Sequence, residues 1–189
     1  MPKPYNPQDH YFQKAKTAGY RARSAFKLLE IQEKFNILRK GRKALDLGAA
    51  PGSWLQVLVS LVGEGNVVGV DLQEIKPVKG AEIIQADIND WQAEKLFDVI
   101  TADLAPNTMG IADVDQWRSV ELNQRVLEIA KTNLKHGGVL VSKIFVGADF
   151  QPFLARFKQH FQKTRVFKPS ACRDRSHESY LIGIGLSKR

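Results

Sequence analysis

The sequence predicts an α/β protein of the Rossmann-like class, with a seven-stranded, mostly parallel sheet, an antiparallel last strand and helices on both faces. Three observations lead to this prediction. From residue 43 onwards, short runs of Val, Ile and Leu alternate with helical segments, as in a parallel sheet covered on both faces. A short apolar strand runs into a turn of small residues that opens a helix. Two β-like runs without a helix between them end the chain, which implies a final hairpin.

The individual elements follow from the spacing of apolar residues. An amphipathic helix is predicted between Ala22 and Phe35, because apolar residues recur there at helical intervals and Lys and Arg occupy the other side. Gly137 and Gly138 predict a turn between the longest helix and the fifth strand. Further helices are predicted near 53–61, 116–134 and 149–160. Strands are predicted near 43–47, 66–71, 82–84, 97–102, 138–144, 164–167 and 179–184. Seven strands with a reversed last one are typical of Rossmann-like methyltransferases.

The turn of small residues after the first strand predicts a cofactor site. Gly48 and Gly52 leave room for a ligand to approach the main chain. Ser53 is expected to cap the helix that contains Trp54, which leaves N–H groups available at the start of that helix. Pro51 stands where a bound pyrophosphate needs a donor N–H, and the pattern G-x-G-x-x-G is absent. A nicotinamide cofactor is therefore a poor match.

Acidic residues near the strand ends indicate a nucleoside-bearing cofactor, because ligands of such sheets lie beyond the carboxyl ends of the strands. Asp71 ends the second strand, where this fold places an acceptor for ribose hydroxyls. Asp87 follows the third strand and is placed to accept from an adenine amine, although an acid in a surface turn fits equally well. Asp46, inside the first strand, is expected to orient the turn by hydrogen bonds. S-adenosylmethionine is the common cofactor that fits these features.

Two charged residues end the next strands of the predicted sheet. Asp103 ends the fourth strand, and Lys143 ends the fifth within an apolar run. A lysine there is unusual, because burying an ammonium without a partner is costly. A strand-end lysine that reaches solvent is the alternative. The position of Lys143 beside the strand that ends at Asp103 favours a functional role.

Composition limits the class of protein. The chain has 189 residues, of which 43% are hydrophobic, and we expect one domain, with a basic segment and helix at 1–43 and a catalytic core at 44–189. No apolar run approaches the roughly 20 residues of a membrane span. The single Cys172 excludes a disulfide within the chain and a cysteine-rich zinc site, so no metal is expected. These properties predict a cytoplasmic enzyme or an RNA-associated protein.

The excess positive charge is concentrated near the N-terminus. The formal net charge is +8, and residues 1–43 carry all of the excess of Lys and Arg over Asp and Glu. These basic residues alternate with aromatic ones, as on a surface that binds phosphates and stacks on bases. A solvated face that only keeps the protein soluble is the alternative. The residues in question are Lys14, Lys16, Arg21, Arg23, Lys27, Lys34, Arg39, Lys40, Arg42 and Lys43, with Tyr11, Phe12, Tyr20 and Phe26.

Five segments, in order along nearly the whole chain, resemble the FtsJ-type RNA 2'-O-ribose methyltransferases. They are GYRARSAFKLL at 19–29, DLGAAPGSW at 46–54, DVITADLAPN at 98–107, GGVLVSKIF at 137–145 and RSHESY at 175–180. The resemblance implies a catalytic Lys-Asp-Lys-Glu tetrad at Lys27, Asp103, Lys143 and Glu178. It implies cofactor contacts at Gly52, Trp54, Asp71, Asp87 and Asp103, to which the turn geometry adds Gly48.

The resemblance also implies a reaction, the transfer of a methyl group from S-adenosylmethionine to a ribose 2'-hydroxyl of RNA. Because this hydroxyl is a poor nucleophile, the reaction needs in-line positioning and a proton acceptor. Lys143 is the candidate acceptor if burial and a neighbouring cation such as Lys27 favour its neutral amine. Asp103 and Glu178 are expected to orient the two amines.

The expected substrate is a uridine in the A loop of large-subunit (23S) ribosomal RNA, methylated within the large ribosomal subunit. The enzyme is expected to be a monomer. A tRNA anticodon-loop 2'-O-methyltransferase is the alternative, because residues 9–23 also resemble those relatives. A non-catalytic RNA-binding protein with a methyltransferase fold is the more distant alternative. The presence of all four tetrad residue types argues against it.

Overall fold

The computed structural model describes residues 10–106, 109–173 and 176–188. The helices in these ranges are α1 (His10–Thr17), α2 (Ala25–Phe35), α3 (Ser53–Val62), α4 (Ala112–Asn133) and α5 (Phe150–Lys158). The strands are β1 (Ala44–Leu47), β2 (Val67–Asp71), β3 (Ala81–Gln85), β4 (Phe97–Ala102), β5 (Leu134–Phe145), β6 (Phe161–Phe167) and β7 (Glu178–Leu186).

The strands form one seven-stranded sheet in the order β3-β2-β1-β4-β5-β7-β6. All neighbouring pairs from β3 to β5 are parallel. Strand β7 lies between β5 and β6 and is antiparallel to both. The predicted fold class, including its reversed last strand, is confirmed. The chain order reverses direction across the sheet at β1 and β4, which is where open α/β sheets form a ligand crevice.

Helices cover both faces of the sheet, as predicted. Leu28 of α2 and Leu58 of α3 belong to one hydrophobic cluster, which also contains Val99 of β4. Leu127 of α4 and Phe153 of α5 belong to a second cluster, on the other face. All four residues of β1 are buried, because this central strand has neighbours on both edges and helices on both faces. No helix in the described ranges is long and apolar enough to span a bilayer.

Three local expectations differ from the structure. Ser53 is not a helix cap: Gly52 is the N-cap residue, and the Ser53 hydroxyl instead lies 2.8 Å from that of Ser24. Strand β5 begins at Leu134, so Gly137 lies in an irregular part of the strand rather than in a turn before it. No helix is predicted before Ala22, but helix α1 forms there, because Ala15 packs against Phe26 and Ala171.

Candidate active site

A cavity of about 490 Å³ opens at the carboxyl ends of β1, β2 and β4; we call it the strand-end cavity. It is lined by four residues predicted to contact a cofactor, Gly48, Asp71, Asp87 and Asp103. Asp71 is the last residue of β2, and the other three lie just after β1, β3 and β4. The sheet therefore gathers residues that are spread over more than fifty positions of the sequence, as the strand-end argument predicts.

Backbone N–H groups hold Asp71 and Asp87, two of the three acids in the cavity wall. The N–H of Ala50 donates to Asp71 Oδ2 over 2.8 Å, and the N–H of Gln73 donates to Oδ1 over 2.8 Å. Asp87 Oδ1 accepts from the backbone N–H and the side-chain amide of Asn89, at 2.8 and 2.9 Å. Asp71 thus ties the turn after β1 to the end of β2. The sequence argument gave this role to Asp46, which was wrong.

Asp46 is instead a buried acid beneath the cavity. Its Oδ1 accepts from the Thr101 hydroxyl over 2.7 Å, whereas Oδ2 has no hydrogen-bond partner within the part of the chain that the structure describes. Burial raises the pKa of Asp46 to about 8; the Thr101 hydrogen bond opposes the rise, and the charges of Asp103 and Asp71 add to it. At neutral pH the side chain is therefore mostly protonated, which reduces the negative charge near the other two acids.

The spaces beside the two glycines of the turn are filled by the protein itself. A Cβ at Gly48 would collide with the Leu104 side chain, and one at Gly52 would lie 2.7 Å from Arg21 Nη1. Both residues have positive φ angles, 72° and 102°, which favour glycine. Close packing and backbone geometry thus account for these glycines without a ligand. Gly52 does not line the strand-end cavity, and its contact with a cofactor stays a prediction.

Trp54 also faces away from the strand-end cavity. Its side chain is 2% exposed, and its Nε1 donates to the carbonyl of Ser24 over 2.8 Å. The indole stacks on Tyr180 with ring centroids 5.8 Å apart. The side chain therefore connects α3 to the start of α2 and to β7. A contact between Trp54 and a cofactor stays a prediction, and it would have to use the backbone.

The four tetrad residues form two ion pairs, which we call the ion-pair site. Lys143 Nζ lies 3.2 Å from Asp103 Oδ1 and donates to the Asp103 carbonyl over 2.9 Å. Lys27 Nζ lies 2.7 Å from Glu178 Oε1. All four side chains are between 9% and 16% exposed. Asp103 belongs to both the ion-pair site and the strand-end cavity, so the two regions adjoin.

Tyr180 joins the two ion pairs, and the sequence argument gave it no role. Its hydroxyl donates to Asp103 Oδ1 over 2.7 Å, and Lys27 Nζ lies 6.0 Å from the centre of its ring. Burial, with the charge of Asp103 adding to it, raises the pKa of Tyr180 well above its usual value, so the hydroxyl remains a donor. A sequence signal existed: residues two apart on a strand share a face, and Tyr180 stands two positions after Glu178.

Electrostatics favour the ionised form of Glu178. Burial acts to raise its pKa, but the charge of Lys27 and hydrogen bonds from Lys27 and Cys172 outweigh burial, and Lys143 adds to them, so the pKa is lowered. The pKa of the Cys172 thiol is raised to about 12 by burial and by its hydrogen bond to Glu178. The thiol therefore stays protonated and serves as a donor to the carboxylate.

A buried polar network fixes the strand that carries Lys143. The Asn123 side-chain amide donates to the carbonyl of Lys143 over 2.7 Å and to that of Ser119 over 2.8 Å. The Ser142 hydroxyl donates to Asn123 Oδ1 over 2.7 Å. Because each polar atom of this group has a partner, α4 holds β5 in one position behind the ion-pair site.

Two arginines of the basic N-terminal segment make structural contacts. Arg21 donates to the carbonyls of Pro51, Lys76 and Pro77 at 3.0, 2.6 and 2.7 Å, and so bridges the turn after β1 and the loop after β2. Arg23 Nη2 donates to the carbonyl of Ala171 over 2.5 Å. These two arginines therefore stabilise the fold, whether or not they also bind a ligand. Among the other basic residues of this segment, Lys14, Lys16, Lys34, Arg39 and Lys40 are exposed.

Among the described residues, no group of three or more His, Cys, Asp or Glu side chains is placed to hold a metal ion.

Comparison with known proteins assigns the chain to a family. The family model described as FtsJ-like methyltransferase matches residues 20–186. The chain belongs to this family. The protein is therefore a methyltransferase, and the resemblance seen in the five sequence segments is confirmed.

Curated relatives match over most of their length. The chain is 46% identical over 184 residues to "Ribosomal RNA large subunit methyltransferase E" of Methanothrix thermoacetophila, covering 93% of this chain and 72% of the relative. It is 43% identical over 194 residues to the protein of the same name from Syntrophobacter fumaroxidans, covering 97% and 98%. A solved Plasmodium falciparum structure described as a ribosomal RNA methyltransferase matches with a TM-score of 0.80 and 25% identity, covering 90% of this chain and 100% of that one.

Proposed function

We propose that this methyltransferase transfers a methyl group from S-adenosylmethionine to a ribose 2'-hydroxyl of RNA, and that its substrate is a uridine in the A loop of 23S ribosomal RNA within the large subunit. The observation that supports the reaction is the ion-pair site beside the strand-end cavity, in which Lys143 is paired with Asp103 at 3.2 Å. The names of the relatives support a large-subunit RNA as the substrate.

The strand-end cavity suits the proposed cofactor in size and in chemistry. Its volume of about 490 Å³ lies within the range usual for small-molecule sites. Asp71 and Asp87 offer carboxylate oxygens to the hydroxyl and amine donors of an adenosine, and backbone N–H groups fix both acids. Asp103, at the junction with the ion-pair site, offers a negative charge to a sulfonium. When bound, S-adenosylmethionine supplies an electrophilic methyl group.

In this proposal Lys143 is the proton acceptor of the reaction. The acceptor 2'-oxygen would bond to the methyl carbon as the carbon–sulfur bond breaks and leaves a neutral thioether, and the hydroxyl proton would pass to the Lys143 amine, which later releases it to water. Asp103 fixes the amine through its carboxylate and its carbonyl. The Tyr180 hydroxyl donates to the same carboxylate and so fixes Asp103 from a second direction.

Lys27 and Glu178 are proposed to position the acceptor nucleotide. Lys27 Nζ lies 2.7 Å from Glu178 Oε1. An ammonium has three N–H donors, so donors remain for ribose or phosphate oxygens. The exposed basic residues of α1 and of the segment after α2 would contact phosphates further along the RNA. No step of this proposal requires a metal ion.

The test is methyl transfer from radiolabelled S-adenosylmethionine to three RNA preparations from cells lacking the corresponding modification: large ribosomal subunits, free 23S RNA and tRNA. We expect label in ribosomal RNA at one ribose, mapped by reverse-transcription stops at low nucleotide concentration. Label in tRNA alone would replace the proposed substrate by the anticodon loop. RNA binding without transfer to any of the three would contradict the proposed reaction and favour a non-catalytic RNA-binding protein.

A further inference from the structure

Glu30 binds the loop between β6 and β7. Its Oε2 accepts from the backbone N–H of Ser170 over 2.6 Å, and its Oε1 accepts from the N–H of Ala171 over 3.0 Å and from the Ser170 hydroxyl over 2.9 Å. Successive N–H groups that converge on one carboxylate make an anion-binding arrangement, and such charge-assisted hydrogen bonds are stronger than neutral ones. The carboxylate therefore fixes this loop to α2.

The Ala171 peptide is held on its other side as well. Arg23, just before α2, donates to the Ala171 carbonyl over 2.5 Å. The Ala171 side chain is fully buried and clusters with Ala15 and Phe26. Both polar groups and the side chain of this residue thus contact α1, α2 or the turn before α2. Ala171 is therefore a fixed point of the loop.

The helix that holds this fixed point also carries Lys27. Lys27 and Glu30 are three residues apart on α2, so they lie on neighbouring positions of one helix face. Lys27 reaches Glu178 at 2.7 Å, at the start of β7. Between the two contacts lies Cys172, which is buried and whose thiol hydrogen-bonds Glu178. Helix α2 therefore contacts the loop at Ser170 and Ala171 through Glu30, and contacts the start of β7 at Glu178 through Lys27.

We propose that Glu30 is a positioning residue for the ion-pair site: by anchoring residues 170–171 on α2, it sets the distance at which Glu178 meets Lys27. This inference rests on the proposed function for its kinetic consequences but not for its structural ones. A Glu30 that only stabilised the fold would change the melting temperature without a selective effect on methyl transfer.

The chain offers a matched control for Glu30 three residues along the same helix. Glu33 is exposed, so Glu33→Gln makes the same change of charge without releasing the loop. In Glu30→Gln the side chain keeps one acceptor oxygen but loses its charge and the second oxygen. We expect Glu30→Gln to slow single-turnover methyl transfer about 10- to 100-fold, as misplacement of a reacting group does, with cofactor Kd within about twofold of wild type. Glu33→Gln should change neither quantity.

A second readout does not depend on activity. The pKa of Glu178, followed by carbon-13 NMR of its carboxyl group, reports on the groups that face it, which are Lys27 from α2, Lys143 from β5 and Cys172 from the loop. Removing the negative charge of Glu30 would by itself lower this pKa further. Loss of the close contact with Lys27 would raise it toward the ordinary value. We expect a rise in Glu30→Gln and no change in Glu33→Gln.

The two readouts separate the possible failures. A slower transfer together with a raised Glu178 pKa supports the proposal. Wild-type transfer in Glu30→Gln, a loss that follows cofactor affinity, or a Glu178 pKa that is unchanged or lower would overturn it. If the wild-type protein methylates no RNA, the proposed function fails, and the Glu178 titration alone still decides whether Glu30 positions the pair.

Discussion

The strand-end cavity and the ion-pair site adjoin at Asp103 but are built in different ways. In the cavity, Asp71 and Asp87 are held mainly by N–H groups within two residues of themselves or in the neighbouring turn. In the ion-pair site, each lysine meets its partner across a long stretch of chain: Lys143 lies 40 residues from Asp103, and Lys27 meets Glu178 from near the other end of the described chain.

The difference implies that the two regions respond differently to change. A cavity wall fixed by local backbone contacts depends mainly on the loops after β2 and β3. The ion-pair site depends on the docking of α2 against the β6–β7 loop and on the register of β5 with β7, in which Lys143 is opposite Tyr180. We therefore expect changes in the ion-pair site to affect methyl transfer and changes in the cavity wall to affect cofactor affinity.

The largest expected effect is that of Lys143→Met, which keeps the volume of the side chain and removes its amine. Without a proton acceptor, the single-turnover rate should fall at least about 10²- to 10⁴-fold, the usual contribution of general base catalysis. The measurement is label transfer to ribosomal RNA at saturating cofactor and RNA. A rate within tenfold of wild type would remove Lys143 from the proposed role.

The next largest effect is on stability: Asp46→Asn, beneath the cavity, should raise the free energy of unfolding. The pKa of Asp46 is about 8 in the folded protein, whereas in the unfolded chain the carboxyl has its ordinary value. The unfolded state therefore releases a proton that the folded state keeps, and wild-type stability falls as pH rises from about 4 to about 8, by about 1 kcal/mol per unit. Denaturant unfolding of both forms across this range should show the Asn variant gaining relative stability. Parallel stability curves would contradict the burial of an unpaired acid.

The opposite sign is expected for the ion-pair site. Because the pKa of Glu178 is lowered in the folded protein, its pair with Lys27 contributes stability above the ordinary carboxyl pKa and loses it as pH falls through the folded value. Glu178→Gln should destabilise the protein by up to about 3 kcal/mol at neutral pH, the lower end of the range for broken buried pairs. This difference should shrink below pH ~4. A difference that stays constant with pH would mean that packing, not charge, accounts for the loss.

The smallest effect tests whether the N-terminal segment supports the strand-end cavity. Arg21 bridges the turn after β1 and the loop after β2, so Arg21→Gln should weaken cofactor binding about five- to tenfold, for the loss of about 1 kcal/mol of hydrogen bonding at an exposed site. Arg39→Gln, at an exposed position of the same segment, is the control and should leave cofactor affinity unchanged. Equal effects of the two variants would indicate a general charge effect.

The fold class and the gathering of three acids at the strand ends could be predicted from periodicity, whereas Lys27 and Glu178 were implied only by the family resemblance. Asp71, Asp87 and Asp103 follow strands whose apolar runs are clear, and the strand order brings them together. The roles of Trp54 and Ser53 could not be predicted, because both side chains contact Ser24, which lies some thirty residues earlier in sequence. Arg21 resembles the other basic residues of its segment in sequence, and only the folded loops give it three carbonyl partners.

The most direct test of the division between the two regions is a pair of cofactor titrations by calorimetry, on Asp71→Ala and on Lys143→Met. Asp71→Ala removes a proposed ribose acceptor and releases the Ala50 N–H, so its Kd for S-adenosylmethionine should rise about 10- to 100-fold, the cost of leaving polar groups unpaired. Lys143→Met should bind within about twofold of wild type. Equal losses of affinity in both variants would contradict the account, because they would show that the cavity and the ion-pair site act as one unit.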